Sequence, residues 1–302
     1  MNAQLMDQAR AAYRAGDFSS AAQLFASAKT ADEICGEADH LRGNSLMRLG
    51  LFQDAADAYS AALRDASYGK SGALLTNQGK ALAAAGDFAG AANSFGLAVQ
   101  DSSYATPYKA YMGLGNALLK SGNPTDAGVA FRSAAIDGAN PAPAAALMNL
   151  GDCFLLISRP EDAVEAYRTA LDFVGPHDDP RAINAGLGQA LAAAGRYADA
   201  IEAFGRATSD GIYQLTPEQQ QSLATAQDTL SAQRSMAPAA PQATGAYAPG
   251  VDPLDPLGQS GNLIPDPSDT GFFTLSESEM IQQDKKEMKV RRRHRHVGLK
   301  IF

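Results

Sequence analysis

The chain has no Trp, two cysteines and four histidines in 302 residues, and no long apolar run. Each shortage excludes something. Cys35 and Cys153 are too few and too far apart for a disulfide framework. No stretch approaches the roughly 20 consecutive apolar residues that span a bilayer. Met1-Asn2-Ala3-Gln4-Leu5-Met6-Asp7-Gln8 lacks a charged start followed by an apolar run, so no signal peptide is expected. A cytoplasmic, reducing setting is the expectation.

Chemical motifs are also scarce. Gly113-Leu114-Gly115 and Gly186-Leu187-Gly188 resemble the start of a dinucleotide loop, but Leu118 and Leu191 stand where the third glycine belongs. Cys153, between Asp152 and Phe154, reads as a buried structural thiol. His40 is isolated, and His177 falls in the loop Gly175-Pro176-His177-Asp178-Asp179-Pro180. His294 and His296 sit within an arginine run, where they add pH-dependent charge. No Ser/His/Asp set, phosphate loop or carboxylate pair stands out. The chain is therefore expected to be no enzyme, with no cofactor, no metal site and no small-molecule substrate.

What is present is a recurring phrase, with Ala-rich composition that favours helix. It runs Gly86-Asp87-Phe88, then Ala91, Phe95 and Ala98. The small and aromatic positions fall three and four apart and line one helix face. The phrase opens at Gly16, Gly50, Gly86, Gly122, Ser158 and Gly195, with aromatics at Phe25, Tyr59, Phe95, Phe131, Tyr167 and Phe204. Seven residues before each opening stands a small residue: Ala9, Gly43, Gly79, Gly115, Gly151 and Gly188. Each unit thus reads as a helix, a tight turn and a second helix. A period of 34–37 residues means a stacked array in which each hairpin buries its face on its neighbours.

These residues resemble the tetratricopeptide repeat family, in six copies over about residues 3–211. The family also favours Trp early in the first helix, absent here, and Pro closing the second. Pro107, Pro141, Pro143, Pro176 and Pro180 fall later and are expected in inter-repeat loops. The resemblance implies an all-α fold, a right-handed superhelical solenoid of helix-turn-helix repeats over residues 1–211. Thr216-Pro217-Glu218-Gln219 then signals an N-cap, with Leu223, Ala226 and Leu230 following, so residues 212–236 read as a capping helix.

In this family the first helices line the inner groove, and the residue six before each turn points into it. The resemblance therefore implies a groove lined by Arg10, Asn44, Lys80, Asn116, Asp152 and Gln189. Members that hold a peptide's terminal carboxylate use Asn and Lys/Arg there, backed by Lys one turn earlier. Met6, His40 and Thr76 occupy the preceding turn, so that clamp is incomplete.

Beyond the repeats the composition changes. Residues 237–271 carry seven prolines and no helical or strand period, and read as a disordered linker. Ser276-Glu277-Ser278-Glu279 reads as a capping box opening a short helix, and residues 272–302 end in a basic tail. Residues 284–302 hold eight Lys/Arg against Asp284 and Glu287, a local +6 within a net −8, which leaves −14 on residues 1–283. Lys289, Arg291, Arg292, Arg293 and Arg295 are the candidate tail-binding residues, for anionic lipid, nucleic acid or an acidic partner. The acidic body argues against broad nucleic-acid contact. The expected function is a scaffold that binds a peptide or protein in its groove. The alternative is an adaptor held at the inner face of a membrane by its tail.

Overall fold

The computed structural model describes residues 1–30, 32–175 and 179–236. The expected linker, the short helix after Ser276, the basic tail and His177 lie outside the described residues.

Among the described residues the regular structure is helical. Helices α1 (Ala3–Ala15) and α2 (Phe18–Ser27) form the first hairpin, and α3 (Gly36–Arg48) and α4 (Phe52–Leu63) the second. Then come α5 (Ser71–Ala85) with α6 (Phe88–Ala98), and α7 (Pro107–Lys120) with α8 (Pro124–Ile136). The last two pairs are α9 (Pro143–Leu156) with α10 (Pro160–Asp172), and α11 (Arg181–Ala193) with α12 (Tyr197–Ala207). A single helix, α13 (Pro217–Met236), follows. Consecutive helices pack on one another through α12, and the six hairpins build a solenoid.

The turns inside the hairpins follow from the residues that make them. Gly16, Gly50, Gly86, Gly122 and Gly195 all have φ between +75° and +88°, the left-handed region that glycine enters without a Cβ penalty. Ser158 holds the same place at φ +57° and pays that penalty. Asp17, Asp87 and Asn123 then cap the second helices, accepting from Ser20, Gly90 and Asp126 backbone N–H groups at 3.0, 2.8 and 3.3 Å. The prolines depart from expectation. Pro107 and Pro143 open α7 and α9 rather than lying in loops, because a first-turn residue has no N–H to lose and benefits from a fixed φ.

The core explains the pairing of small and aromatic residues. Ala21, Ala55, Ala91, Ala127, Ala163 and Ala200 are completely buried, and so are the six aromatics of the repeat, or nearly so. A Cβ on Gly79 would lie 2.8 Å from the Phe95 ring, and one on Gly113 would lie 2.4 Å from it. The ring is thus gripped between α5 of its own hairpin and α7 of the next. Gly151 and Gly186 hold Tyr167 the same way. These slots make stacking specific rather than merely apolar.

Loops close the hairpins with a second repeated device. Asp65 and Asp101 accept from the backbone N–H of Gly36 and Gly72 at 2.8 and 2.7 Å, so the end of each hairpin caps its own first helix. Hydrogen bonds from Ser67 and Ser103 hold both carboxyls below the usual carboxylate range.

First helices of adjacent hairpins approach each other, α5 to α7 and α9 to α11, and no pair of second helices comes as close among the described residues. The stack therefore bends toward its first helices, which form the inner face. Helix α13 continues that row. Its capping box is closed both ways: Thr216 N–H donates to Gln219 Oε1 at 3.0 Å, and Gln219 N–H to Thr216 Oγ1 at 3.3 Å. Among its described side chains only Ala226 is fully buried; Leu223 and Leu230 are half-buried. Thirty-six residues after Gly188 and Leu191 stand Ala224 and Gln227, both exposed.

Candidate binding groove

Each residue six before a turn sits on a first helix: Arg10 on α1, Asn44 on α3, Lys80 on α5, Asn116 on α7, Asp152 on α9 and Gln189 on α11. They divide by partner. Arg10 is engaged within the protein, its Nε and Nη2 donating to Glu37 at 2.8–3.1 Å across the α1–α3 gap, with Nη1 on Asp7 at 3.0 Å. Glu37 holds the guanidinium pKa above its ordinary value, so this cation is already neutralised. Asn44 and Asp152 accept from the Tyr59 and Tyr167 hydroxyls at 2.8 and 2.5 Å. Only those two hairpins carry Tyr rather than Phe at the aromatic position, and a buried hydroxyl needs an acceptor.

Asp152 is exposed to the groove yet walled by protein on its sides. Reduced hydration pushes its pKa up, and the Tyr167 hydrogen bond offsets part of that rise. Behind it, burial raises the Cys153 thiol to about 12, which leaves it protonated and unreactive.

Lys80, Asn116 and Gln189 form no hydrogen bond or ion pair among the described residues; the first two are exposed and Gln189 is half-buried. One helical turn further along the same face stand Ala84, Lys120, Leu156 and Ala193. Leu156 is 64% exposed, more than almost any other large apolar side chain here. The preceding turn supplies no second cation. Met6 is buried, Thr76 is buried with its hydroxyl on Gly72 O at 2.7 Å, and His40 shares a hydrogen bond with Tyr68 Oη at 2.9 Å. Burial first, and then Lys70, hold the His40 pKa below its ordinary value. The carboxylate clamp is thus left with Lys80 as its one free cation among the described positions.

The row does not stop at Gln189. Thr225 on α13 lies thirty-six residues later, and together Gln189 and Thr225 line a cavity of about 480 Å³ with Leu155, Ala192, Ala193, Glu218, Gln221 and Ser222. Sequence reasoning read α13 only as a cap and missed this extension; the unbroken 36-residue step from Gln189 to Thr225 was the available signal. The five tail residues lie outside the described region. No group of three or more His, Cys, Asp or Glu side chains among the described residues is placed to hold a metal, and no described helix is long and apolar enough to cross a membrane.

Helical hairpins repeated in register, with a row of polar side chains along one face, define a helical-repeat protein. The repeat period and its glycine–aromatic slots identify which kind. The chain matches the tetratricopeptide repeat family over residues 6–70, 40–108, 76–143 and 112–178, more than half its length, and it belongs to that family. Among solved structures it is similar to PilW, described as a widely conserved type IV pilus biogenesis factor, at 20% identity, covering 72% of this chain and 96% of that one, with a TM-score of 0.51. It is likewise similar to pilF of Pseudomonas aeruginosa (18% identity, 73% and 96% coverage, TM-score 0.54). A third similar structure is the MamA protein (21% identity, 60% and 98% coverage, TM-score 0.50). At such identity the likeness is one of fold. Comparison with curated protein sequences finds no match.

Proposed function

We propose that the protein is a non-enzymatic scaffold that binds a peptide or protein partner along the inner face of its first helices. The observation that carries this reading is the row Lys80, Asn116 and Gln189, polar side chains with no partner among the described residues, beside the exposed Leu156. Unengaged donors and acceptors next to a bare aliphatic side chain suit a polypeptide, which offers backbone polar groups and apolar side chains together. Family membership supports the same class of function. Arg10, Asn44 and Asp152 contribute to the groove mainly as parts of its wall, since each is already bonded within the protein.

The test is capture of partners from the source cell by the full chain and by a Lys80→Ala/Asn116→Ala/Leu156→Ala variant. Loss of the captured protein with unchanged circular dichroism supports the groove. Equal capture by both chains refutes it. A control, Asn93→Ala/Val129→Ala on the second helices, should capture as the parent does.

A second reading rests on the +6 carried by residues 284–302. At about 1 kcal/mol per basic residue near an anionic surface, this segment supplies several kcal/mol of membrane attraction, short of a stable anchor by itself. On this reading the tail brings the scaffold to the inner face of a membrane.

A further inference from the structure

The cavity between α9, α11 and α13 has a chemistry unlike the rest of the inner face. Among the described residues the cations of that face without an ion pair, Arg14, Arg48, Lys80 and Lys120, belong to the first four hairpins. None of the eight residues lining the cavity is Lys or Arg, and one, Glu218, is a carboxylate. Hydrogen bonds from its own backbone N–H and from Thr216 hold Glu218 below the usual carboxylate range, so it is ionised at neutral pH. Neither Glu218 nor Asp152 forms an ion pair among the described residues. Asp152 stands one helical turn before Leu155 on α9.

The remaining lining sorts into two surfaces. Gln189, Gln221, Ser222 and Thr225 offer side-chain oxygens, while Leu155, Ala192 and Ala193 form an aliphatic wall. A group that satisfies both has several N–H donors, a positive charge and an apolar stem. A guanidinium on three methylenes fits this description: its planar donors match a carboxylate and neighbouring amide oxygens, and its stem lies on aliphatic surface. At about 480 Å³ the space is at the small end of ligand pockets, the size of one long side chain with water rather than of a folded element.

We infer that this cavity is a specificity pocket for an arginine side chain of the bound partner. The inference rests on the groove reading above and adds a polarity to it. The partner segment lays its arginine between α9, α11 and α13, and its neutral or acidic part toward Lys120 and Lys80.

The test is solution NMR of the full chain, following the side-chain amide resonances of Gln189 and Gln221. The probe is Nα-acetyl-arginine methylamide, and its neutral isostere Nα-acetyl-citrulline methylamide is the control. Saturable shifts of both glutamines are expected with the arginine probe, with affinity about tenfold weaker for citrulline, the cost of losing a charged hydrogen bond. Glu218→Gln should reduce arginine binding by a similar factor and leave the distant Gln78 amide unmoved. Equal shifts from the two probes would make the cavity a neutral polar site and overturn the inference. So would the absence of shifts at either glutamine with arginine. The groove reading stands or falls separately on the Lys80/Asn116/Leu156 capture experiment.

Discussion

Replacing one glycine by alanine at two positions on neighbouring helices should move stability in opposite directions. Gly96 lies near the end of α6, and a Cβ built there meets nothing within 4 Å. Alanine there removes the entropic cost of a helical glycine and should add about 0.5–1 kcal/mol. Gly113 lies within α7, and a Cβ there would stand 2.4, 2.5 and 2.8 Å from three carbons of the Phe95 ring. The ring has no escape, because Gly79 presses it from α5 with a built Cβ at 2.8 Å. Overpacking of this kind costs about 1–3 kcal/mol, and with both walls fixed the upper part of that range applies. After the same propensity gain, Gly113→Ala should be destabilised by about 1–2 kcal/mol. The two variants should therefore differ by about 2–3 kcal/mol in urea unfolding followed by circular dichroism. A Gly113→Ala chain as stable as Gly96→Ala would refute the glycine slot as what fixes the stacking of successive hairpins.

Three further outcomes are expected. Ser158→Gly relieves the one non-glycine residue at positive φ among the described residues and should raise stability by about 0.5–1 kcal/mol; an unchanged or lower midpoint would contradict this. Asp152 has a raised carboxyl pKa, so the folded state binds its proton more tightly than the unfolded chain. Its contribution is favourable below the unfolded value of 3.8 and is lost as pH rises through the raised one. Asp152→Asn, which can still accept from Tyr167, should be more stable than the parent at pH 7, with the difference vanishing near pH 3; thermal melts at the two pH values decide it. Deleting residues 284–302 should abolish binding to phosphatidylserine vesicles and leave the helical content of the remainder intact. Binding by the parent should weaken steeply with salt, and salt-independent binding would count against the electrostatic account.

The hairpins were legible because their signal is redundant. Glycine, alanine and aromatic positions repeat six times with nearly one period, and each copy confirms the others. What escaped notice depends on contacts between residues that pattern reading treats separately. Tyr59 and Phe95 count alike as aromatics, yet only the tyrosine needs an acceptor and so ties Asn44 into the hairpin. Arg10 looked like a groove cation until α3 brought Glu37 alongside it. Helix α13 does not read as a further first helix because no turn-and-aromatic phrase follows it: Ser231-Ala232-Gln233 stands where the phrase would open. Its role as the far wall of a cavity emerges only when α9, α11 and α13 are set side by side. Pro107 and Pro143, which fall after the family's usual closing proline, read as loop residues by position, although proline equally suits the first turn of a helix.

Site-specific photo-crosslinking in the source cell reads out directly whether partners bind on the first-helix face. A benzoyl-phenylalanine replaces Asn116 on α7 in one chain and Asn93 on α6 in another; both positions are exposed and neither has a partner among the described residues. A discrete protein adduct is expected from position 116 and none from position 93. An adduct from position 93 with none from position 116 would place the binding surface on the opposite side of the solenoid and contradict the proposed groove.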